Sequence, residues 1–527
     1  MSESAVAAAA AAATAAGTAA RAEAQPVNLA GISASIMLPT IMQALDSTIA
    51  NVALPHMQGS FSASQDQIAW VLTSYIVAAA IMTPPTGFLA GRFGRKRVFL
   101  AAVFGFTIAS MLCGMATSLT QIVLFRLLQG VCGASLVPLS QSVLLDSFPR
   151  ERHGSAMALW GLGVMVGPIL GPTLGGYLTE NYNWRWVFYI NLPVGVLAFL
   201  LISAFVPETE RIRRRFDIFG FAMLSLAIGS LQIMLDRGEN RDWFGSTEIV
   251  VEGALAALGL YLFVVQTVTA DRPFIDPRLF RDRNFVGSLV CAFAVGVVLF
   301  ATMALMPPFL QGLMDYPVVT VGYVLAPRGI GTMIAMLAVG RLISRTDPRY
   351  LMLFGFSLTA VSLWQMSNFT TDITPRILVE TGIVQGIGLG FVFVPLSTIA
   401  FSTLPPHFRT EAAGMFNLIR NIGSSIGISI CFALVAINTQ INHSVMAERV
   451  SRFNPLFQAP SVPEAWDPAT SAGAMSLDHV LNAQAQVISY LNDFRMMMWM
   501  MIVALPMVLL LQRPRYAPPP DAVAVPD

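Results

Sequence analysis

The segment Gln129-Gly-Val-Cys-Gly-Ala-Ser-Leu-Val-Pro-Leu-Ser140 returns, one residue longer, as Gln385-Gly-Ile-Gly-Leu-Gly-Phe-Val-Phe-Val-Pro-Leu-Ser397. The opening Gln-Gly and the closing Val-Pro-Leu-Ser are shared, at an offset of 256 to 257 residues. The turns that follow also agree, with Pro149, Arg150 and Glu151 set against Pro405, Arg409 and Glu411. Upstream, Gly91 and Arg92 pair with Gly340 and Arg341 at an offset of 249. The chain therefore reads as two similar halves with extra sequence between them, the organisation of a secondary transporter whose path lies where the halves meet.

Composition places those halves in a bilayer. Of 527 residues, 55% are hydrophobic and 12% charged, about half the roughly 25% of charged residues in soluble domains, and the mean hydropathy is +0.65. A string of soluble domains is excluded, because their surfaces need far more charge. The net charge of +1 offers no basic face for nucleic acid. Cys113, Cys132, Cys291 and Cys431 all fall in apolar runs and read as small buried hydrophobes. His443 and His479 are far apart, and no histidine or cysteine spacing calls for a metal or any other cofactor.

Apolar stretches long enough to cross about 30 Å of hydrocarbon recur at 28–54, 68–90, 98–116, 120–145, 156–179, 185–206, 217–235, 246–266, 285–309, 318–342, 350–370, 375–402, 412–436 and 490–511. Fourteen transmembrane helices result. The connections after even-numbered spans, together with the two tails, hold 21 of the 31 basic residues, and the opposite connections hold six. By the positive-inside rule both termini are cytoplasmic. The basic run from Arg211 to Arg215 reads as a topology marker in preference to a patch that attracts anionic membrane lipid. The expected organisation is all-α and polytopic. It comprises a disordered tail over 1–27, a six-helix bundle over 28–206, an inserted pair over 217–266, a second six-helix bundle over 285–511 and a tail over 512–527. The second bundle includes an external loop at 437–489, in which Ser476 to Leu491 is helix-compatible, and that loop reads either as a docking surface or as a disordered insertion. The alanine-rich first 25 residues lack the pattern of a signal peptide.

A few polar residues stand out against this background. Asp46, in the first span, is too costly to face lipid and should point into the bundle, as a proton carrier or as a fixed acid bonding neighbouring helices. Arg126 in span 4 lies at a compatible depth, to pair with Asp46 across the central interface or to snorkel outward. Glu380 near the start of span 12 either adds negative charge to a substrate path or reaches headgroups, while Asp236 and Asp493 read as rim residues. Gly163, Gly167, Gly171 and Gly175 form a stripe at four-residue intervals that allows close helix approach. Pro168 and Pro172 interrupt that same span. The connection from Gly87 through Gly91, Arg92, Gly94 and Arg95 to Arg97 combines turn-forming glycines with bases suited to a latch on the cytoplasmic face. Met42, Gln43, Trp70, Tyr75, Gln129 and Met165 are candidate walls of an apolar path, or core packing. No ATP-binding loop is present, so any pumping must draw on an ion gradient.

Taken in order, Leu45 to Pro55 with Asp46 and Asn51, Gly87 to Arg97, Arg126 with Gln129 and Gly130, and Gly163 to Gly176 resemble the motifs of the major facilitator superfamily. Within it they are similar to the fourteen-span drug:proton antiporters of the EmrB type. The resemblance covers residues 30–511. It implies the major facilitator fold, a bacterial inner-membrane location and outward movement of hydrophobic drugs against inward protons. Each proton then yields about 2.3 kcal/mol per 100 mV. It also implies partnership with a periplasmic membrane-fusion adaptor and an outer-membrane channel, for which 437–489 is a candidate contact. One departure stands out: Gly91 occupies the place of the acid usual in the cytoplasmic motif, which puts that latch in doubt. Narrow-substrate export of a siderophore, fatty acid or metabolite is the alternative, and a non-transporting sensor is a second rival. A membrane enzyme is disfavoured, since no catalytic constellation gathers near one face.

Overall fold

In lipid the backbone must satisfy its own hydrogen bonds, which leaves helices as the form such apolar segments take. A computed structural model describes residues 28–149, 152–209, 211, 216–238, 241–271, 273–450, 454, 466–468 and 470–512. The expected tail at 1–27, and 513–527 of the tail expected at 512–527, lie outside these residues. Among the described residues there are seventeen α-helices. The N-terminal half comprises α1 (Leu29–Phe61), α2 (Gln65–Met82), α3 (Thr86–Phe93), α4 (Arg95–Met115), α5 (Leu119–Gly133), α6 (Leu136–Ser147), α7 (His153–Asn181), α8 (Trp186–Tyr189) and α9 (Asn191–Phe205). Then come α10 (Ile218–Arg237) and α11 (Thr247–Thr269). The C-terminal half comprises α12 (Arg283–Gly312), α13 (Val318–Leu342), α14 (Pro348–Met366), α15 (Pro375–Ser402), α16 (Arg409–Ala447) and α17 (Ser471–Leu509).

Local chemistry marks the helix ends. Ser64 and Gln67 form a reciprocal capping box at the start of α2, and Asp217 and Asp282 accept backbone N–H groups at the starts of α10 and α12. Gly94, with φ of 93°, joins α3 to α4 in a conformation that a side chain would strain. Twelve helical segments are long and apolar enough to cross a membrane, or thirteen when α2 and α3, bent by 57° at their junction, count as one span. Residues 120–145, expected as one uninterrupted helix, divide into α5 and α6 at Ala134 and Ser135.

Packing follows the repeat. In the N-terminal half α1 packs on α7, α9 and α6, α2 on α5, and α4 on α5 and α9. In the C-terminal half α13 packs on α15, α12 on α16, and α14 on α15 and α17. The halves meet where α7 packs on α13 and α15, and where α3 and α6 pack on α16. Helix α10 bridges both halves: Asp236 accepts from the Thr73 hydroxyl of α2, and Gln232 accepts from Ser425 of α16 at 3.0 Å. Helix α11 packs on α10 and presents Val250, Leu258, Tyr261 and Val268 outward, the apolar face a bilayer covers.

The described residues of the loop expected at 437–489 are largely helical. Both α16 and α17 run 39 residues, about 58 Å at 1.5 Å per residue, so they outlast the hydrocarbon and pack together beyond it. Thr439 donates to Ser489 at 3.2 Å and His443 meets Asp478 at 2.8 Å. Amphipathic sequence rich in Gln, Asn and Ser extends a helix past the membrane as readily as it forms a loop.

Candidate functional site

Asp46 and Arg126, both 0% exposed, form an ion pair of 2.6 Å between Oδ2 and Nη1. Arg126 Nη1 also donates to Gln129 Oε1 at 2.8 Å, and Gln129 Nε2 donates to Asp46 Oδ1 at 2.8 Å. Asn191 of α9 adds a third donor, its Nδ2 lying 2.9 Å from Asp46 Oδ1 and 2.9 Å from Ser110 of α4. Arg126 Nε donates to the Val71 carbonyl at 3.1 Å, and its guanidinium lies 4.3 Å from the Tyr75 ring centre. Three donors thus converge on one carboxylate in a site closed to water. These bonds tie α1 to α5 and α9 at a single carboxylate.

This geometry corrects several expectations. The ion pair sits inside the N-terminal half, not across the interface between halves, because α1 and α5 both belong to that half. Gln129, expected on a substrate wall, is fully buried in the charge cluster. Glu380 is not brought there at all: its side chain is 58% exposed and pairs with Arg376, one turn away on α15. Asp493, expected at a rim, is 1% exposed with Oδ2 unpartnered, because α17 continues for 22 residues on its N-terminal side. Met42, Tyr75 and Met165 are buried, and Gln43 donates to the Tyr75 hydroxyl at 3.4 Å. Trp70 stacks beneath Arg237 of α10. Asn51 is exposed on α1.

Helix α7 runs continuously through Pro168 and Pro172. A side chain at Gly167 would overlap the Ala44 carbonyl, one at Gly171 would overlap Thr48, and one at Gly175 would press on Ile49. Gly163 has only ordinary contacts, the nearest atom lying 3.6 Å from an added Cβ. Ala44 and Thr48 flank Asp46 by two residues on either side, so the glycine seam holds the stretch of α1 that carries the acid. The other side of α7 meets the C-terminal half, with Gly161 against Met336 and the Ser155 hydroxyl donating to the Gly340 carbonyl at 2.8 Å.

At the end of the molecule carrying the basic connections, Asp146 of α6 binds Arg95 of α4 and Arg409 of α16, joining the two halves. Arg409 also donates to the Leu145 carbonyl at 3.2 Å. Glu411 accepts from the Asp276 backbone at 2.8 Å, and its Cα would lie 2.9 Å from a Cβ on Gly87. Gly91 lines a small cavity of about 70 Å³ beside Glu411. An acid does join the halves at this end, but it is Asp146 at the close of α6, not a residue at the Gly91 position on α3. The signal available in sequence was an acid just ahead of Pro149, Arg150 and Arg152 in the connection after the fourth span. Asp146→Asn should open this end, raising labelling of a cysteine placed at Ala158, which is 3% exposed against Gly340, about tenfold, as expected for loss of charge-assisted bonds worth about 1.5–3 kcal/mol. Unchanged labelling would remove Asp146 from the latch.

The repeat places Gln385 where the first half has Gln129, at an offset of 256, and Thr302 of α12 stands beside it as Asp46 of α1 stands beside Gln129. Gln385 Nε2 lies 3.4 Å from Thr302 Oγ1, while Gln385 Oε1 has no partner. The second half therefore reproduces the amide but not the acid.

The sequence profile of the Major Facilitator Superfamily matches residues 36–428. The chain is 39% identical over 428 residues to the multidrug export protein EmrB of Escherichia coli (strain K12), covering 81% of this chain and 84% of that one. It is 36% identical over 428 residues to the fatty acid resistance protein FarB of Neisseria gonorrhoeae, with the same coverages of 81% and 84%. Among solved structures, it is similar to the human organic anion transporter MFSD10 with a TM-score of 0.59 at 14% identity, covering 90% of this chain and 100% of that one. The proton:xylose symporter XylE gives 0.58 at 13% identity, with coverages of 90% and 95%. At those identities the structures speak to the fold.

Proposed function

The chain belongs to the major facilitator superfamily and is a multi-pass membrane transporter rather than an enzyme; on that premise we propose that it is a proton-coupled antiporter exporting hydrophobic or amphipathic compounds across the bacterial inner membrane. The observation that carries this reading is the buried Asp46 with Arg126, Gln129 and Asn191 around it. Fourteen spans follow when α14, 19 residues and about 28 Å long, joins the twelve apolar segments and the bent pair. Helices α1–α9 and α12–α17 then form two six-helix bundles, α10 and α11 the inserted pair. Both termini and the basic end are cytoplasmic, so the latch at Asp146 describes an inward-closed state.

In this mechanism a proton arriving from outside takes an oxygen of Asp46 and displaces one donor. Arg126 loses its counter-charge and α1 shifts against the glycine seam of α7. Because α7 packs on α13 with its other side, the shift reaches the seam between bundles and favours release of the latch. An inward-open state then loads substrate, and deprotonation returns it. Similarity to EmrB supports a tripartite assembly with a periplasmic adaptor and an outer-membrane channel, for which the membrane-external part of α16 and α17 is a suitable surface. The narrower alternative, export of one fatty acid, siderophore or metabolite, draws support from likeness to a fatty acid resistance protein.

Reconstitution into proteoliposomes tests the class. An imposed pH gradient should drive accumulation of hydrophobic dyes at least about tenfold over protein-free vesicles, and a protonophore should abolish it. Dye flux indifferent to the gradient would sink antiport, and absence of flux for every compound tried would favour the sensor reading.

A further inference from the structure

Arginine at a bilayer-buried position needs a counter-charge or a full set of acceptors. Arg126 has both. Arg420 of α16 is 8% exposed, and among the described residues its side chain has no ion pair and no hydrogen bond, with Nε wholly enclosed and unpartnered. Its one recorded neighbour of electrostatic kind is the Phe393 ring, 5.8 Å away. A ring face offsets less for a cation than its desolvation costs. Arg328 of α13 is a second such group: one arm donates to the Leu299 carbonyl at 3.2 Å, and no acid faces it among the described residues. The two flank the same turn of α12, since the Arg420 carbonyl packs on Gly296 and Arg328 reaches Leu299.

The surroundings of Arg420 say where it points. Phe393 stacks on Trp160 of α7 with centres 5.7 Å apart and planes 10° from parallel, so these rings span the seam between the halves. One turn from Arg420, Asn417 Nδ2 donates across the same seam to Gln141 Oε1 of α6 at 2.7 Å. Gln141 Nε2 is left buried without a partner, a second spare donor, while the spare acceptor Asn417 Oδ1 does not neutralise the guanidinium. A cation thus stands over one ring of a stacked aromatic pair, with an orphan amide donor one helical turn along the same seam, on the path that alternating access must open.

We propose that Arg420, with Gln141 held by Asn417 one helical turn away, is the recognition site for the ionised headgroup of an amphipathic organic acid, whose apolar body lies against Trp160 and Phe393. This rests on the export reading and narrows it from hydrophobic compounds at large to weak acids. The chemistry suits the direction of transport. An anion leaving an inside-negative cell moves down the membrane potential, in addition to the gain from each entering proton. A neutral compound gains nothing from its own charge.

Binding to the purified full chain in nanodiscs of zwitterionic lipid tests the site without requiring transport. The probes are a medium-chain alkyl carboxylate and its uncharged primary amide, read by calorimetry. Wild type should bind the carboxylate at least about tenfold tighter than the amide, the size of a charge-assisted bond in a buried site. Arg420→Gln should erase that preference by weakening the carboxylate alone. Arg420→Lys should keep most of it, and Gln141→Leu, which leaves the guanidinium in place, should reduce it by a smaller factor. Equal binding of both probes by wild type would overturn the proposal, as would weakening of both alike in Arg420→Gln. Repeating the titration with phosphatidylglycerol in the nanodisc separates substrate from lipid: if that lipid removes the carboxylate preference, the occupant is a headgroup and the substrate assignment fails. Gradient-driven flux of a neutral dye by wild type is the separate measure of the export reading, so either can fail while the other stands.

Discussion

Replacing Asp46 by asparagine is expected to stop pH-driven export while leaving a folded protein in the membrane. Asparagine keeps the size of the side chain but cannot release a proton, and its NH2 must face a donor from Arg126, Gln129 or Asn191. Removing one partner of a buried ion pair costs about 3–5 kcal/mol, so melting should move downward as well. The loss of coupling should be larger than stability explains: gradient-driven flux falls at least about a hundredfold, the scale of a step whose proton carrier is gone, while substrate exchange without a gradient persists. The double variant Asp46→Asn with Arg126→Gln distinguishes the two effects. With both charges gone the melting temperature should recover, since neutral replacement of a buried pair is often tolerated, but pH-driven flux should not. Recovery of flux in that double variant would refute Asp46 as the proton carrier.

A side chain at Gly167 should have the largest effect on the folded state. Its Cβ would collide with backbone, the Ala44 carbonyl, which cannot rotate away as a side chain can. Overpacking of this kind costs about 1–3 kcal/mol for a methyl and more for a branched residue, so Gly167→Val should abolish monodisperse protein on fluorescence-detected size exclusion, and Gly167→Ala should lower its melting temperature by several degrees. Gly163→Ala is the internal control. With the nearest atom 3.6 Å from the added Cβ, that variant should melt within about a degree of wild type, and Ala is the better helix former. Equal sensitivity at the two glycines would mean that the stripe acts through helix flexibility rather than close approach of α1 and α7.

The motif glycines were visible in the chain, yet their inequality was not. Spacing of four residues puts all of them on one face, but which of them touches backbone depends on where α1 crosses α7. Gly94 is a different case, since its positive φ comes from the α3–α4 junction and its local Gly-Arg-Phe-Gly-Arg pattern already suggested a turn. Asp493 illustrates the opposite failure. Hydropathy placed it near a span end, where depth is set by how far a helix continues, and α17 continues much further than its apolar window.

Transmembrane character, the two-fold repeat and the candidacy of Asp46 could all be read from the chain, because each depends on composition or on order along it. Apolar length against bilayer thickness is a sum over neighbours, and a carboxylate in an apolar run is costly wherever the run packs. The partners of Asp46 could not be read this way. Gln129 and Asn191 lie 83 and 145 residues away in sequence, Arg409 reaches Asp146 across 263, and Arg420 stands without an acid only because none is folded against it among the described residues. Hydrogen bonds act over about 3 Å and in particular directions, so which polar groups meet, and which are left over, is a property of how the helices are packed.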